Sequence, residues 1–276
     1  MHWSRTGLWI AVVAVALGTA LAGCEDANRD ETLDVALTGQ YPPFSFYSDD
    51  GELVGFDVDV ARELAEHMGQ DVRFVATPWD GILPGLMAGR YDVIIGSMAI
   101  TPKREKAVDF SEPYYVSGAQ LFVHERYADQ IDSIEDVREM PDAADAALGV
   151  VTGETYHEHL DENYPEIDVR GYDGTPLIFP DVKDGRLVGF VTDRLVGLHQ
   201  IKEAGEPFVP AGDMLYSEKM AIPVKPENQE RLQQVNAALR EMKQTGRLNE
   251  IHRKWFGMAG ELGAPAKTQQ ATTQPE

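Results

Sequence analysis

The sequence has little of what disulfide-bonded, nucleic-acid-binding and membrane-spanning proteins need. One cysteine, Cys24, occurs among 276 residues, so the chain has no second thiol for an internal disulfide. Lys and Arg number 24 against 46 Asp and Glu, which gives a net charge of −22. Because phosphate groups are bound by clustered positive charge, this balance excludes nucleic acid as a partner. The apolar run at residues 8–22 is too short for a comfortable membrane span.

The N-terminus has the form of a secretory signal peptide, predicted at residues 1–23. Arg5 lies near its start, and small and apolar residues follow. The run ends in Leu-Ala-Gly directly before Cys24, which resembles the lipobox of bacterial lipoproteins. That resemblance implies that Cys24 becomes the lipid-modified first residue of the exported protein; an ordinary signal peptide followed by an incidental cysteine is the alternative. The polar residues 24–31 are predicted to be a lipid-anchored tether.

From residue 32 onwards the pattern is that of an α/β protein. Short apolar segments alternate with amphipathic segments, such as the one carrying Val60, Ala61 and Leu64 on a single helical face. This alternation predicts βα units and mostly parallel sheets. The pattern restarts after Tyr115, which indicates a second α/β unit. Residues 258–276, rich in Gly, Ala, Pro, Gln and Thr, are predicted to be disordered because they cannot bury a core.

The stretch at residues 96–115, GSMAITPKREKAVDFSEPYY, is the most informative for function. It follows an apolar segment that reads as a strand, and it carries Ser97, Thr101 and Arg104. The N–H groups of a helix start and the planar fork of a guanidinium both favour a carboxylate. The sequence therefore predicts a site for a small anion near Arg104.

Several motifs together resemble family 3 periplasmic solute-binding proteins, the amino-acid receptors of ABC importers. They are YPPF at 41–44, GFDVD at 55–59, WDG at 79–81, the run at 96–104, DFSEPYY at 109–115, GR at 185–186 and TD at 192–193. The resemblance covers roughly residues 32–257. It implies an α/β, two-lobed type II periplasmic-binding-protein fold with the ligand cleft between the lobes. The first lobe is expected to be discontinuous, at 32–116 and 217–257, with the second lobe at 117–216.

The resemblance also implies a site that holds both ends of a free amino acid. Arg104 is the expected partner of the carboxylate, because its guanidinium can pair bidentately. Ser97 is expected to donate its hydroxyl, Thr155 to add a donor from the second lobe, and Gly96 to offer its carbonyl to the ammonium. Asp193 is the expected partner of the ammonium, with capping of the following helix as the alternative.

Two aromatic residues, Tyr41 and Trp79, are expected to flank the side chain of the ligand. Asp57 is expected to cap its helix rather than to touch the ligand. Because Arg104 and Asp193 belong to different lobes, an amino acid that pairs with both would stabilise the closed state over the open one.

Some positions depart from the family pattern and leave the identity of the amino acid open. Ala99 replaces a common hydroxyl residue, Glu154 replaces a common threonine, and Val188-Gly189 replaces a common Asp-Ala pair. The neighbours His157 and His159 resemble metal ligands, but residues two apart point to different sides of a helix. A polar helix face is the expected interpretation, and no metal or cofactor site is predicted.

These observations predict a monomeric, lipid-anchored receptor that captures a polar amino acid and involves no chemistry of its own. Its expected location is the periplasm or the outer face of the cytoplasmic membrane, and its expected partners are an ABC permease and ATPase. An enzyme resembling periplasmic cyclohexadienyl dehydratases is the alternative. In that case Glu218, in the segment 217–219, would act as the general acid.

Overall fold

The computed structural model describes residues 31–140 and 147–257. The predicted signal peptide, lipidated Cys24, the tether up to residue 30 and the tail at 258–276 lie outside the described residues, so those predictions stay predictions. No helix among the described residues has the length and apolarity needed to cross a bilayer.

The first of two five-stranded sheets combines residues from both ends of the described chain. Its strands, in sheet order, are β5 (Asp71–Ala76), β1 (Thr32–Leu37), β6 (Val93–Ile94), β13 (Pro223–Val224) and β7 (Asp109–Phe110). The first three run parallel, whereas β13 is antiparallel to both of its neighbours. Four helices belong to this lobe: α1 (Phe56–His67), α2 (Trp79–Met87), α7 (Gln229–Gln244) and α8 (Arg247–Phe256).

The second sheet is formed by the intervening segment. Its strands, in sheet order, are β10 (Val169–Tyr172), β9 (Leu148–Val151), β11 (Gly189–Asp193), β8 (Tyr115–His124) and β12 (Phe208–Met220). Its helices are α3 (Ile134–Arg138), α4 (Thr155–Asn163), α5 (Phe179–Lys183) and α6 (Arg194–Glu203). The parallel strands β9 and β11 end next to the helices α4 and α6, so the starts of both helices face the carboxyl edge of the sheet.

The two lobes are joined by the paired strands β8 and β12. They run antiparallel from Tyr115 opposite Met220 to His124 opposite Phe208, with an interruption between Ala211 and Tyr216. Next to this pair, Tyr114 N–H donates to the Met220 carbonyl at 2.9 Å. The chain therefore passes between the lobes twice, along adjacent strands. The lobe boundaries at 116/117 and 216/217 fall within or beside this pair and stay a prediction.

A small three-stranded sheet lies between the first strand of the chain and helix α1. Its strands are β2 (Gln40–Tyr41), β3 (Ser45–Tyr47) and β4 (Leu53–Val54). The Pro42-Pro43 peptide bond between β2 and β3 is cis. Strands of two or three residues are too short to show an alternating pattern, so the sequence alone does not predict them.

Aromatic packing in the first lobe fixes this small sheet and with it Tyr41. The Phe44 ring lies 5.2 Å from the ring of Tyr41, 5.4 Å from that of Tyr115 and 5.4 Å from that of Phe256. The absence of a side chain at Gly55 lets its backbone pack against the backbone of Phe44, because a Cβ at Gly55 would lie 2.1 Å from the Phe44 carbonyl oxygen. The packing leaves Tyr41 half-buried beside the cleft.

Two helices of the first lobe depart from simple sequence rules. Pro84 is the sixth residue of α2, whereas proline is normally tolerated only in the first turn of a helix. The buried face of this short helix, formed by Ile82 and Leu86, outweighs one missing hydrogen bond. Asp57 was expected to cap α1, but Gly55 is the N-cap residue and Asp57 lies inside the first turn.

Candidate ligand-binding site

One cavity lies between the two lobes and collects most of the predicted site residues. Its empty volume is about 490 Å³, including its opening to solvent. Six of the seven predicted ligand residues line it: Tyr41, Trp79, Gly96, Ser97, Arg104 and Thr155. The first lobe also contributes Thr38, Gln40, Ala99 and Met220, and the second lobe and its connecting strand contribute Val151, Glu154, Tyr156, Asp173, Gly174, Thr175 and Glu218.

Arg104 supplies the positive charge of the cavity wall. Its Nη1 donates to the Ala99 carbonyl at 2.9 Å, and its guanidinium carbon lies 5.5 Å from the centre of the Trp79 ring. Burial lowers its pKa, and the negative charges of Glu218 and Glu154 oppose that effect. Within the described residues no carboxylate forms an ion pair with Arg104 at 4.0 Å or less. The guanidinium is therefore fixed in place and still has donors available for a ligand carboxylate.

Ser97 lies in a closed network inside the first lobe. Its Oγ donates to Asp57 Oδ2 at 2.8 Å, and its N–H donates to Tyr114 Oη at 2.9 Å. The Tyr114 hydroxyl in turn donates to Asp57 Oδ1 at 2.7 Å. Burial raises the pKa of Asp57 to about 7, although both hydroxyl donors lower it. The Ser97 hydroxyl, expected to donate to the ligand, is already used within the protein, and its direct contact with ligand stays a prediction.

Ser97, which lines the cavity, has an unusual backbone conformation that the same hydrogen bonds hold in place. Ser97 has φ 55°, in the left-handed region that side-chain-bearing residues rarely adopt. Gly96 precedes it in the cavity wall. Strain of this kind persists when surrounding contacts determine the conformation, and here the two Ser97 hydrogen bonds do so.

The two predicted aromatic residues lie on the first-lobe side and reach towards the second lobe. Trp79 Nε1 donates to the Gly153 carbonyl across the cleft at 3.1 Å. The pKa of the Tyr41 hydroxyl is raised well above its usual range, first by burial and then by the negative charges of Glu154 and Asp193. Both aromatic rings therefore border a cavity whose second wall is acidic.

Thr155 and Glu218 are joined by a hydrogen bond in the cavity wall. Thr155 is the first residue of α4, and its Oγ1 donates to Glu218 Oε2 at 3.0 Å. Burial raises the pKa of Glu218, while the bond from Thr155 and the charge of Arg104 lower it. The Thr155 hydroxyl thus orients a carboxylate of the protein in this structure, and its role towards a ligand stays a prediction.

Glu154 is the functional candidate that the sequence reasoning passed over. It is 8% exposed, lines the cavity, and has a buried Oε2 without a hydrogen-bond partner among the described residues. Its pKa rises to about 8, mainly through burial; Arg104 lowers it, and the charges of Asp193 and Glu218 raise it further. The sequence showed that Glu154 replaces a threonine that is common in the family. Only the structure showed that this carboxyl group is buried in the wall of the cavity.

Asp193 lies behind the cavity wall rather than in it. It is fully buried at the end of β11 and caps α6, because its Oδ1 accepts from Leu195 N–H at 2.7 Å. The same oxygen accepts from Ser117 Oγ at 2.8 Å. Its Oδ2 has no partner among the described residues, and burial raises its pKa to about 7. The helix-capping alternative therefore holds, and contact with a ligand ammonium stays a prediction.

The cavity contains the groups needed to bind a small charged molecule. Arg104 can hold a carboxylate, and Glu154 and Glu218 present carboxylate oxygens to a cation. Across the described part of the chain, no group of three or more His, Cys, Asp or Glu side chains is arranged to hold a metal ion.

Two further features show that the lobes enclose this site. Lys103 Nζ forms an ion pair with Glu158 Oε1 at 2.5 Å, which adds to the bond between Trp79 and Gly153 across the cleft. An enclosed site between two α/β lobes joined by adjacent strands defines the class of two-lobed solute receptors that close around a ligand.

Comparison with known proteins identifies the family. The family model "Bacterial extracellular solute-binding proteins, family 3" matches residues 33–258. The chain is 36% identical over 264 residues to the L-cystine-binding protein TcyJ of Escherichia coli K12, covering 93% of this chain and 97% of that relative. It is 29% identical over 234 residues to the ABC transporter arginine-binding protein 1 of the same organism, covering 83% and 93%.

A solved structure resembles the fold over the same region. The ancestral amino acid-binding protein AncCDT-1, described as a precursor of cyclohexadienyl dehydratase, superposes with a TM-score of 0.77 at 35% identity, covering 84% of this chain and 98% of that one. The chain therefore belongs to the family 3 bacterial extracellular solute-binding proteins. The family and the two-lobed type II fold inferred from the motifs are both confirmed.

Proposed function

We propose that the protein captures a free polar amino acid outside the cytoplasm and delivers it to the permease of an ABC importer. One observation carries the proposal: a single enclosed cavity contains Arg104, a partner for a carboxylate, together with Glu154 and Glu218, partners for an ammonium. A free amino acid is the common metabolite that carries both groups on one carbon. The relatives named for cystine and arginine support the same ligand class without choosing between its members.

Closure provides the link between capture and delivery. Arg104 is held by the first lobe, whereas Glu154 belongs to the second, so an amino acid that contacts both is bound fully only when the lobes are closed. Ligand shifts an open–closed equilibrium by its difference in affinity for the two states. A permease can then recognise the closed form, and a monomer is sufficient for this role.

The ligand is found most directly by thermal-shift screening of the purified protein with each of the twenty standard amino acids and cystine. A ligand at 100 times its dissociation constant stabilises the folded state by about 2.7 kcal/mol, which is visible as a raised melting temperature. We expect a small group of related amino acids to raise it. If none of them does, the proposed function is wrong.

Membrane anchoring through Cys24 is a separate part of the proposal. It is supported by the single cysteine and the lipobox-like residues before it. Radiolabelled palmitate should label the wild-type protein in cells, and Cys24→Ser should be unlabelled and move from the membrane to the soluble extracytoplasmic fraction. An unlabelled wild-type protein would contradict the anchor and leave ligand capture untouched.

A dehydratase activity is the second candidate, because Glu218 lies in the cavity with a raised pKa. The printed description of AncCDT-1 as a precursor of cyclohexadienyl dehydratase points to the same possibility. We propose binding without chemistry, because the relatives at 36% and 29% identity are named as binding proteins. Incubation with prephenate or arogenate should give no product; turnover that Glu218→Gln abolishes would establish the enzyme instead.

A further inference from the structure

The charges around the cavity are out of balance, and the imbalance indicates the ligand. Three buried or half-buried carboxyl groups surround it: the buried Glu154 and the half-buried Glu218 in its wall, and the buried Asp193 behind it. Arg104 is the one guanidinium or ammonium group among the residues that line it. A buried carboxylate needs a counter-charge, a set of donors or a proton, because desolvation of an isolated charge is costly.

The three carboxyl groups differ in how far the protein itself satisfies them. Asp193 accepts from Ser117 and from the start of α6, and Glu218 accepts from Thr155. Glu154 belongs to the cavity wall and is more than nine-tenths buried, and its Oε2 has no hydrogen-bond partner in the described part of the chain. Glu154 is therefore the carboxylate that most needs a partner from the ligand.

A neutral zwitterionic amino acid does not remove this imbalance. Its carboxylate takes Arg104 and its ammonium takes one carboxylate, so the sum of charges in the closed cavity is unchanged. A ligand with one carboxylate and two cationic groups supplies a partner for Glu154 as well. Guanidinium and ammonium groups are pure donors, with five and three N–H bonds, and so match an acidic wall with empty acceptor positions.

We propose that the ligand is a cationic amino acid whose side-chain charge pairs with Glu154, while Arg104 holds its carboxylate. This inference rests on the proposed function and names the substrate class of the same site. Glu154 is then the residue that determines specificity, at the position where the chain departs from the family's usual threonine.

Arginine and citrulline form a matched pair of ligands that differ in side-chain charge and hardly in shape. Citrulline replaces the guanidinium of arginine by an uncharged ureido group of nearly the same size. Isothermal titration of the full-length protein should give arginine or lysine an affinity about 100-fold above that of citrulline or glutamine, the scale expected when a buried charge pair loses one partner.

Matched variants test the assignment to Glu154. Glu154→Gln should lower the affinity for the cationic ligand about 100-fold and change the affinity for citrulline by less than about 3-fold. Glu162→Gln is the control, because Glu162 is an exposed acid on the neighbouring helix α4 that does not line the cavity, and it should change neither affinity by more than about 3-fold. The melting temperature of ligand-free Glu154→Gln should equal or exceed that of the wild type, which verifies folding.

The possible outcomes distinguish a failure of the proposed function from a failure of the cationic substrate class or of the role of Glu154. Absence of binding by any amino acid would overturn the proposed function itself. Citrulline, glutamine or cystine binding as tightly as arginine would leave amino-acid capture standing and overturn the cationic substrate class. A preference for arginine that Glu154→Gln retains in full would overturn the assignment of specificity to Glu154.

Discussion

The two walls of the cavity differ in how completely the protein satisfies their polar groups. On the first-lobe side, Ser97, Tyr114 and Asp57 close a network of hydrogen bonds among themselves, and Arg104 is held by the Ala99 carbonyl. In the second-lobe wall, buried oxygens of Glu154 and Thr175 have no hydrogen-bond partner among the described residues, and the same holds for Asp193 Oδ2 behind that wall.

This difference indicates that the two lobes contribute to ligand binding in different ways. A wall with internally satisfied groups keeps its geometry whether or not a ligand is present. A wall with unsatisfied acceptors is stabilised by whatever donors arrive, because leaving a buried polar group unpaired costs about 1–3 kcal/mol. We infer that the first lobe presents a preformed carboxylate site and that the second lobe gains most from closure over a donor-rich ligand.

The largest expected effect on ligand affinity comes from removing the positive charge of Arg104 in the first-lobe wall. Arg104→Ala should reduce ligand affinity about 1,000-fold, because it removes a largely buried cation and leaves the ligand carboxylate unpaired. Calorimetric titration measures the loss. Lys106→Ala removes an exposed cation two residues away and is the control, with an expected change below about 3-fold. Unchanged affinity in Arg104→Ala would remove Arg104 from the site.

The stability of the two walls provides the next comparison. Asp57→Ala should lower the free energy of unfolding by about 3 kcal/mol, because it leaves the buried hydroxyls of Ser97 and Tyr114 without their acceptor. Glu154→Ala should leave it unchanged or raise it, because it removes a buried carboxyl group whose Oε2 has no hydrogen-bond partner among the described residues. Urea unfolding of the ligand-free proteins measures both. Equal losses in the two variants would contradict the distinction between the walls.

The pH dependence of stability follows from the raised pKa values of Asp57 and Asp193, about 7, and Glu154, about 8. A carboxyl group whose pKa rises on folding binds more protons in the folded state. Its stabilisation is present below the unfolded pKa and is lost as pH rises through the folded pKa. The free energy of unfolding of the ligand-free protein should therefore fall as the pH rises from about 4, near the unfolded pKa values of these carboxyl groups, to about 8.

Urea unfolding at several pH values tests this prediction, and Glu154→Gln should reduce the slope because one of the three groups is removed. Glu158→Gln, which changes a half-exposed acid outside the cavity, should keep the wild-type slope. Stability that rises across the same range would show that the three carboxyl groups are ionised at little cost and that the acidic wall is already compensated.

The smallest expected effect concerns the exposed contact between the lobes. The side chains of Lys103 and Glu158 are 79% and 47% exposed, and an exposed ion pair contributes at most about 1 kcal/mol. Lys103→Ala should therefore weaken ligand binding by less than about 5-fold. A loss comparable to that of Arg104→Ala would mean that closure depends on the rim of the cleft rather than on its interior.

Much of the candidate site was predictable because its residues are close in the sequence. Gly96, Ser97 and Arg104 lie in one motif that directly follows strand β6. Because residues that follow a strand lie at the carboxyl edge of its sheet, all three were expected at the same edge, beside the cleft. Tyr41 and Trp79 belong to motifs of the same family, which placed them beside the same cleft. All five line the cavity, and their contact with a ligand stays a prediction.

The remainder depended on contacts between distant segments. Asp57 receives hydrogen bonds from residues 40 and 57 positions away, so no local pattern predicts that it satisfies Ser97 instead of capping its helix. Glu218 meets Thr155 from 63 positions away.

The sequence by itself determined the α/β class, the family and one half of the site, because periodicity and short motifs are local properties of the chain. The tertiary structure decided which polar groups are satisfied and which are not. That outcome depends on burial and on partners from the other lobe, which raise the pKa of Glu154 and leave one of its oxygens unpartnered. The same glutamate on a solvated loop would carry an ordinary charge; enclosed opposite Arg104, it becomes the group that selects the ligand.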